Sequence, residues 1–245
     1  MITDQDLIII PTFNERENIQ PLLESIHVQY PLVHVLIVDD HSPDGTADLI
    51  EKNESFKKFI HVMRRTGKRG LGLSYVDGYL YALNEGYNRA AQMDADFSHD
   101  PSYLESMFHA AEEADVVLGS RYCPGGGVKD WPYHRYLLSR FANRYVALIT
   151  GLKILDATSG FRVYTRSALK KIALGNIASN GYAFQVEMTY LSTKAGLTLK
   201  EVPIVFRDRT KGQSKISRKV LIESMLIPWK LRFGKTHPEA SKPVK

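Results

Sequence analysis

The chain has 245 residues, 44% hydrophobic and 24% charged. That balance is globular and excludes a disordered chain, a collagen and a coiled coil. One cysteine, Cys123, excludes an intrachain disulfide and a cysteine-based zinc site. The net charge is +5, yet residues 200–245 hold twelve Lys and Arg against four Asp and Glu. An acidic body with a basic end fits a polyanionic surface or substrate, and equally a solvated tail.

Residues 1–6 are polar and acidic, unlike a signal peptide. No stretch reaches the ~18 uncharged apolar residues of a membrane span. The expectation is a soluble protein, or one peripheral to a membrane. Residues 7–10 (Leu-Ile-Ile-Ile) read as a buried strand stopped by Pro11. Asn14 and Glu17 resemble a capping box for a helix to Gln29, with Ile19, Leu22, Leu23 and Ile26 on one face. A second buried strand at 35–38 ends in Asp39-Asp40, and turn residues 42–45 lead to a short helix at 46–52. Residues 59–63 form a third strand. A glycine-rich turn at 67–72 opens a helix to Glu85. A fourth strand at 89–93 ends in Asp94-Ala95-Asp96. A helix follows from Pro101 to Ala114, then a fifth strand at 116–118. This alternation predicts an α/β fold with a mostly parallel central sheet flanked by helices. Further on, 122–133 reads as a loop, 135–149 as a helix, 161–164 as a strand, 182–194 as a helix and 197–206 as a strand. Residues 216–233 read as a basic amphipathic helix, and the last ten as a disordered tail. No clean linker interrupts the chain, which predicts one domain over 1–235 and a tail over 236–245.

In such a sheet the functional loops lie at the carboxyl ends of the strands, where Asp39, Asp40, Asp94 and Asp96 fall. Two carboxylates at i and i+2 make an oxygen-rich site for a hard divalent cation that bridges to substrate phosphates. A lone acidic pair is equally an acidic turn; the strand-end position favours the metal. Asp39 and Asp40 suit hydrogen bonds to a nucleoside, or cap the next helix. The turn Gly67-Lys68-Arg69-Gly70-Leu71-Gly72 is basic and precedes a helix, as a phosphate site would be, but has neither Rossmann nor P-loop spacing and reads equally as a flexible turn. Arg121, Arg135 and Ser139 supply donors that suit a phosphate monoester, with Arg135 and Ser139 at i and i+4 of one helix, though taken alone they read as surface charge. The eight histidines show no metal-ligand spacing.

In this order the segments resemble the dolichol-phosphate (polyprenyl-phosphate) mannose synthases, inverting GT-A enzymes of glycosyltransferase family 2. The matching stretches are Pro-Thr-Phe-Asn-Glu-Arg-Glu-Asn from Pro11, Val-Asp-Asp-His-Ser-Pro-Asp-Gly-Thr from Val38, Gly-Leu-Gly from Gly70, Met-Asp-Ala-Asp-Phe-Ser-His from Met93, Gly-Ser-Arg-Tyr from Gly119, Thr-Ser-Gly-Phe-Arg from Thr158, Gly-Tyr-Ala-Phe-Gln-Val-Glu from Gly181, and residues 202–215. The resemblance implies transfer of mannose from GDP-mannose to a polyprenyl or dolichyl phosphate, with Mg²⁺ or Mn²⁺. It implies that Pro11, Phe13, Glu15, Val38, Asp39 and Asp40 line the nucleoside pocket. Asp94 and Asp96 then hold the metal, and Ser98, where relatives often carry Gln, is a third ligand. Lys68, Ala95, Gln185, Arg209 and Lys215 contact the nucleotide sugar, and Arg121, Arg135 and Ser139 the lipid phosphate. Asp96, Arg121 and Arg209 carry catalysis. Asp156 and Glu187 are offered to sugar hydroxyls.

The rival donor is UDP-glucose on the same lipid phosphate. A nucleic-acid module finds no recognised motif here. The helix at 216–233 either lies in an anionic membrane interface or packs on the sheet. The resemblance further implies a peripheral enzyme on the cytosolic membrane face, held there by this helix or by a small membrane partner.

Overall fold

A computed structural model describes residues 1–54, 57–67, 70–177, 179, 181–208 and 218–234. In chain order the first units are β1 (Asp6–Thr12), α1 (Arg16–Gln29), β2 (His34–Asp39), α2 (Thr46–Glu51), β3 (Ile60–Arg64), α3 (Leu71–Glu85) and β4 (Arg89–Gln92). There follow α4 (Leu104–Ala110), β5 (Val116–Ser120), β6 (Gly127–Lys129), α5 (Tyr133–Thr150), β7 (Arg162–Thr165) and α6 (Arg166–Lys171). The last are α7 (Gly181–Lys194), β8 (Leu199–Pro203), β9 (Val205–Arg207) and α8 (Arg218–Phe233).

The main sheet has the order β3-β2-β1-β4-β7-β5-β8. Its pairs are parallel except those of β7, which runs antiparallel to β4 and to β5. β6 and β9 pair as a separate parallel ribbon. The expected α/β architecture therefore holds, with one strand reversed. That reversal brings the start of β7, preceded by Thr158–Phe161, to the same edge as the carboxyl ends of β1, β2 and β4.

Four expectations change in detail. The strand at 197–206 divides into β8 and β9. The helix at 101–114 becomes a 3-10 turn, Pro101–Tyr103, and a shorter α4. Beyond it the chain tightens into i→i−3 bonds, Glu112 N–H to His109 O at 3.0 Å and Glu113 N–H to Ala110 O at 3.2 Å. The 122–133 loop contains β6. The capping box at Asn14 does not form: Asn14 adopts φ 61° and Glu15 is the N-cap residue, with no side-chain cap bond.

Alternation along β1 and β2 splits the core between the two sheet faces. Ile8, Ile10, Val35 and Ile37 pack with Ile19, Leu22, Leu23 and Ile26 of α1 and Leu104, Met107 and Phe108 of α4. Leu7, Ile9, Leu36 and Val38 face Tyr75 and Tyr79 of α3 and Phe184 and Met188 of α7. Close approach of α3 needs Gly78, where a Cβ would stand 2.5 Å from Ile9 Cγ2. A third cluster joins Val146 of α5, Ala183, Val186 and Tyr190 of α7, and Ile227 and Leu231 of α8.

Away from the carboxyl edge, His34 Nδ1 and His61 Nε2 lie 2.9 Å apart, with Tyr87 Oη 3.0 Å from His34 Nδ1. The ring planes are nearly parallel, and a hydrogen bond between the two nitrogens needs a proton on one of them. Burial holds both imidazoles below their ordinary value of 6.5, and for His34 the neighbouring His61 adds to it. The unfolded chain then binds more protons than the native one in mild acid, so this pair stabilises the fold above about pH 6.5 and loses that contribution as pH falls. Thermal melts at pH 7.5 and pH 5 should show a smaller acid-induced loss for His61→Gln than for the parent. An equal loss in both would remove the pair as its source.

Candidate active site

Strain marks the carboxyl edge. Among the described residues, the non-glycine positions at positive φ are Asn14 after β1, His41 after β2, Phe97 after β4 and Asp130 after β6. Such conformations persist where surrounding structure enforces them, and they collect at functional sites. After β2, Asp39 is buried and accepts from Thr12 Oγ1 at 3.0 Å, Ser42 N–H at 3.0 Å and Ser42 Oγ at 2.5 Å. Asp40 accepts from Arg65 Nη1 at 2.6 Å and from Gly70 N–H at 2.8 Å. It thus ties the glycine-rich turn to β2. Lys68 and Arg69 of that turn lie outside the described residues. Phe13, in the loop after β1, is 38% exposed, and Pro11 and Glu15 are half-buried. Asn18 Nδ2 donates to Glu15 Oε2 at 2.8 Å, and Glu15 N–H to Thr46 Oγ1 at 3.1 Å. The side chain of Val38 belongs instead to the α3-side core and that of Ala95 to the α1-side core.

After β4 the acidic pair is built from both sides. Tyr75 Oη donates to Asp94 Oδ1 at 2.8 Å. Complete burial, and then the Asp94 charge, push the Tyr75 phenol well above its ordinary value, so it stays a donor. The backbone N–H of Asp94 donates to His99 Nδ1 at 3.1 Å, which leaves the ring proton on Nε2. The left-handed turn at Phe97 folds the Ser98 N–H back onto Asp96 Oδ1 at 3.1 Å. Gly160, leading into β7, closes over this group. A Cβ there would meet His99 Cε1 at 3.3 Å, Asp94 Oδ2 at 3.5 Å and Gln185 Nε2 at 3.7 Å. Gln185 is buried, and its Oε1 has no hydrogen-bond partner among the described residues. An acceptor enclosed without a donor fits a ligand hydroxyl. Two carboxylates and the Ser98 hydroxyl form a hard-oxygen donor set, and the space kept by Gly160 beside Asp94 Oδ2 fits a small divalent cation. Among the described residues no group of three or more His, Cys, Asp and Glu converges as a metal centre. Such a cation would accordingly take further ligands from substrate and water.

The basic side lies at the ends of β5 and β6. Arg121 is 6% exposed and locked to Asp156: Nε donates to Oδ2 at 2.7 Å and Nη2 to Oδ1 at 2.6 Å. Burial opposes the charge on Asp156, but Arg121 outweighs it and holds the carboxyl below the usual range. Asp156 is thus committed to Arg121 and not presented to a sugar. Glu187 Oε2 accepts from the Ser179 N–H at 3.2 Å. The Arg121 guanidinium sits 5.3 Å from the ring centre of Tyr122, 5.6 Å from Trp131 and 5.5 Å from Phe206. Arg135 stacks on Trp131 at 4.1 Å and donates to Asp208 Oδ2 at 2.6 Å. Ser139 is half-buried one turn further along α5. Sequence reasoning assigned no role to Trp131, Phe206 and Asp208, which lie in or beside the short β6/β9 ribbon. Arg209 and Lys215 lie outside the described residues.

Acidic and basic groups are joined by ring contacts: His99 to Phe206 at 5.7 Å, Phe206 to Trp131 at 5.5 Å, then Trp131 to Arg135. A mostly parallel sheet with acidic strand ends beside a basic, aromatic wall suits a glycosyltransferase. Residues 7–173 match the family described as Glycosyl transferase family 2, and the chain belongs to that family. It is 42% identical over 234 residues to the polyprenol monophosphomannose synthase of Mycolicibacterium smegmatis, covering 94% of this chain and 88% of that one. It is 40% identical over 220 residues to the undecaprenyl-phosphate mannosyltransferase of Micrococcus luteus, covering 90% of each. Glucosyl-3-phosphoglycerate synthase from Mycobacterium tuberculosis, solved with Mn²⁺, UDP-glucose and phosphoglyceric acid, superposes with a TM-score of 0.64 at 15% identity. That match covers 91% of this chain and 79% of the other, and it shows the shared GT-A fold.

Proposed function

We propose that this chain transfers mannose from GDP-mannose to the phosphate of a polyprenyl phosphate, with inversion, in a reaction that needs Mg²⁺ or Mn²⁺. The observation that carries it is the acidic group at Asp94 and Asp96 facing, across one aromatic wall, an arginine stacked for an anion. The two relatives, named for polyprenyl-phosphate mannosyl transfer, supply the sugar and the acceptor class.

Asp39, Asp40, Phe13 and Glu15 hold the nucleoside end of the donor. Asp94 and Asp96 would hold a divalent cation, which would supply positive charge to stabilise a diphosphate leaving group. Gln185 Oε1 accepts from a sugar hydroxyl. Arg135 and Ser139 orient the acceptor phosphate. A phosphate monoester has its second pKa near ~6 and is largely dianionic at neutral pH, so it needs no general base. One of its oxygens forms the bond to the anomeric carbon while the bond to GDP breaks, through an oxocarbenium-like transition state. Arg121, fixed by Asp156, stiffens the wall between the two substrates.

The acceptor's lipid fits the outer surface. α5 exposes Tyr133, Leu137, Leu138, Phe141 and Leu148, and α8 exposes Met225, Leu226, Trp229 and Phe233. Trp229 Nε1 donates to Tyr145 Oη at 2.8 Å, and Tyr145 Oη to Met225 O at 2.8 Å, which joins the two helices. Arg140, Arg144 and Lys230 border this face. An exposed apolar face bordered by cations and carrying aromatic residues suits an anionic membrane interface. Among the described residues no helix is long and apolar enough to cross a membrane.

Purified protein with radiolabelled GDP-mannose, a polyprenyl phosphate in detergent and Mg²⁺ should place label in the organic phase, and EDTA should abolish it. Transfer from UDP-glucose in place of GDP-mannose would replace the donor. No transfer from either would overturn the reading.

A further inference from the structure

Arg135 already holds an anion. Its Nη1 donates to Asp208 Oδ2 at 2.6 Å while its guanidinium carbon lies over Trp131, 4.1 Å from the ring centre. The Trp131 indole N–H is enclosed and has no hydrogen-bond partner among the described residues. A guanidinium braced on an aromatic ring thus holds a carboxylate as it would hold a phosphate. The pair is open to exchange: the side chains of Arg135 and Asp208 are 32% and 35% exposed, so parting them buries no bare charge. By contrast, Arg121 and Asp156 are 6% and 0% exposed, and that pair cannot part without stranding a buried charge.

We propose that Asp208 stands in the place of the acceptor's phosphate on Arg135, so that acceptor binding exchanges one anion for another and Asp208 sets acceptor affinity. This rests on the reading that Arg135 receives the acceptor phosphate. A dianionic phosphate displaces a carboxylate from a guanidinium because it brings more charge and more acceptor oxygens. A weaker anion, such as a carboxylate-terminated lipid, gains nothing by the exchange. Asp208 therefore raises the threshold for every anion and leaves phosphate as the one that clears it.

The test compares the full chain with Asp208→Asn, Arg135→Gln and the double variant. The probes are a short-chain isoprenyl phosphate as acceptor and inorganic phosphate as competitor. Removing the competing charge from an exposed pair should lower the acceptor KM about five-fold. The inhibition constant of inorganic phosphate should fall with it, and the donor KM serves as the reference. Arg135→Gln should raise the acceptor KM, and the double variant should match it, since Asp208 then has nothing to block. A fall for isoprenyl phosphate alone would place the gain on the hydrocarbon and overturn the exchange. An unchanged or raised acceptor KM in Asp208→Asn, with Arg135→Gln impaired, would make Asp208 a mere support for Arg135 and overturn the proposal while keeping the acceptor site. An acceptor KM untouched by Arg135→Gln would overturn both. Thermal melts of each variant establish that it is folded.

Discussion

Asp96→Asn is expected to lower mannosyl transfer by roughly 10²–10³-fold, the usual cost of removing one electrostatic contact to developing charge. The substitution is chosen for what it keeps. Asp96 is 6% exposed and its Oδ1 accepts the Ser98 N–H across the left-handed Phe97 turn. An amide oxygen accepts that bond equally well, so the turn survives and only the charge goes. Half-saturation by Mn²⁺ should rise in the same variant, read by the paramagnetic signal of the free ion without any substrate turning over. Activity within about three-fold of the parent would mean that Asp96 does not hold the cation.

Asp156→Asn is expected to destabilise the fold by ~3–5 kcal/mol, because it leaves the Arg121 guanidinium buried without its counter-charge. Asp156 is fully buried and accepts from the Arg121 backbone N–H at 3.0 Å as well as from the guanidinium. For a chain of this length the melting temperature should fall by roughly 10 °C. The pH dependence follows the same pair. Asp156 is held below its ordinary value of 3.8, so its contribution is full above about pH 4 and lost as pH falls further. The variant should therefore lack that part of the acid-unfolding limb. Replacing both partners, as in Arg121→Met with Asp156→Leu, should recover part of the loss. A single variant melting within a degree or two of the parent would show that the pair carries no weight.

The difference between these two arginines was not legible in the sequence. Arg121 and Arg135 read alike, as cations near a glycine loop, and their partners stand 35 and 73 residues away. Only the reversed β7 and the β6/β9 ribbon bring Asp156 and Asp208 to them. Asp39 and Asp40 were legible because the buried apolar run of β2 locates that strand and therefore its end, whereas Asp94 and Asp96 follow the less apolar β4 and were found as a pair at i and i+2. Lengths were harder. β6 and β9 have three residues each, and their burial is partial, so no alternation exists to read. α6 has six residues squeezed between a strand and a turn. The Asn14 capping box failed because tertiary contacts drew the chain there into a left-handed bend. For the helix at 216–233, packed and exposed readings were rivals. α8 packs on α5 and α7 instead of on the sheet, burying Ile227 and Leu231 and exposing Trp229 and Phe233.

The reversed strand also governs the order in which the molecule can be assembled during synthesis. β5 pairs only with β7 and β8, so when residues 116–120 emerge from the ribosome they have no neighbour to join. The β4 edge stays open for the same interval, until residues 162–165 arrive and zip both strands at once. Local β1-to-β4 pairing comes early, whereas the wall bearing Arg121 waits on a contact made some forty residues later. A nascent chain of this enzyme thus completes its acidic half long before it owns a basic one.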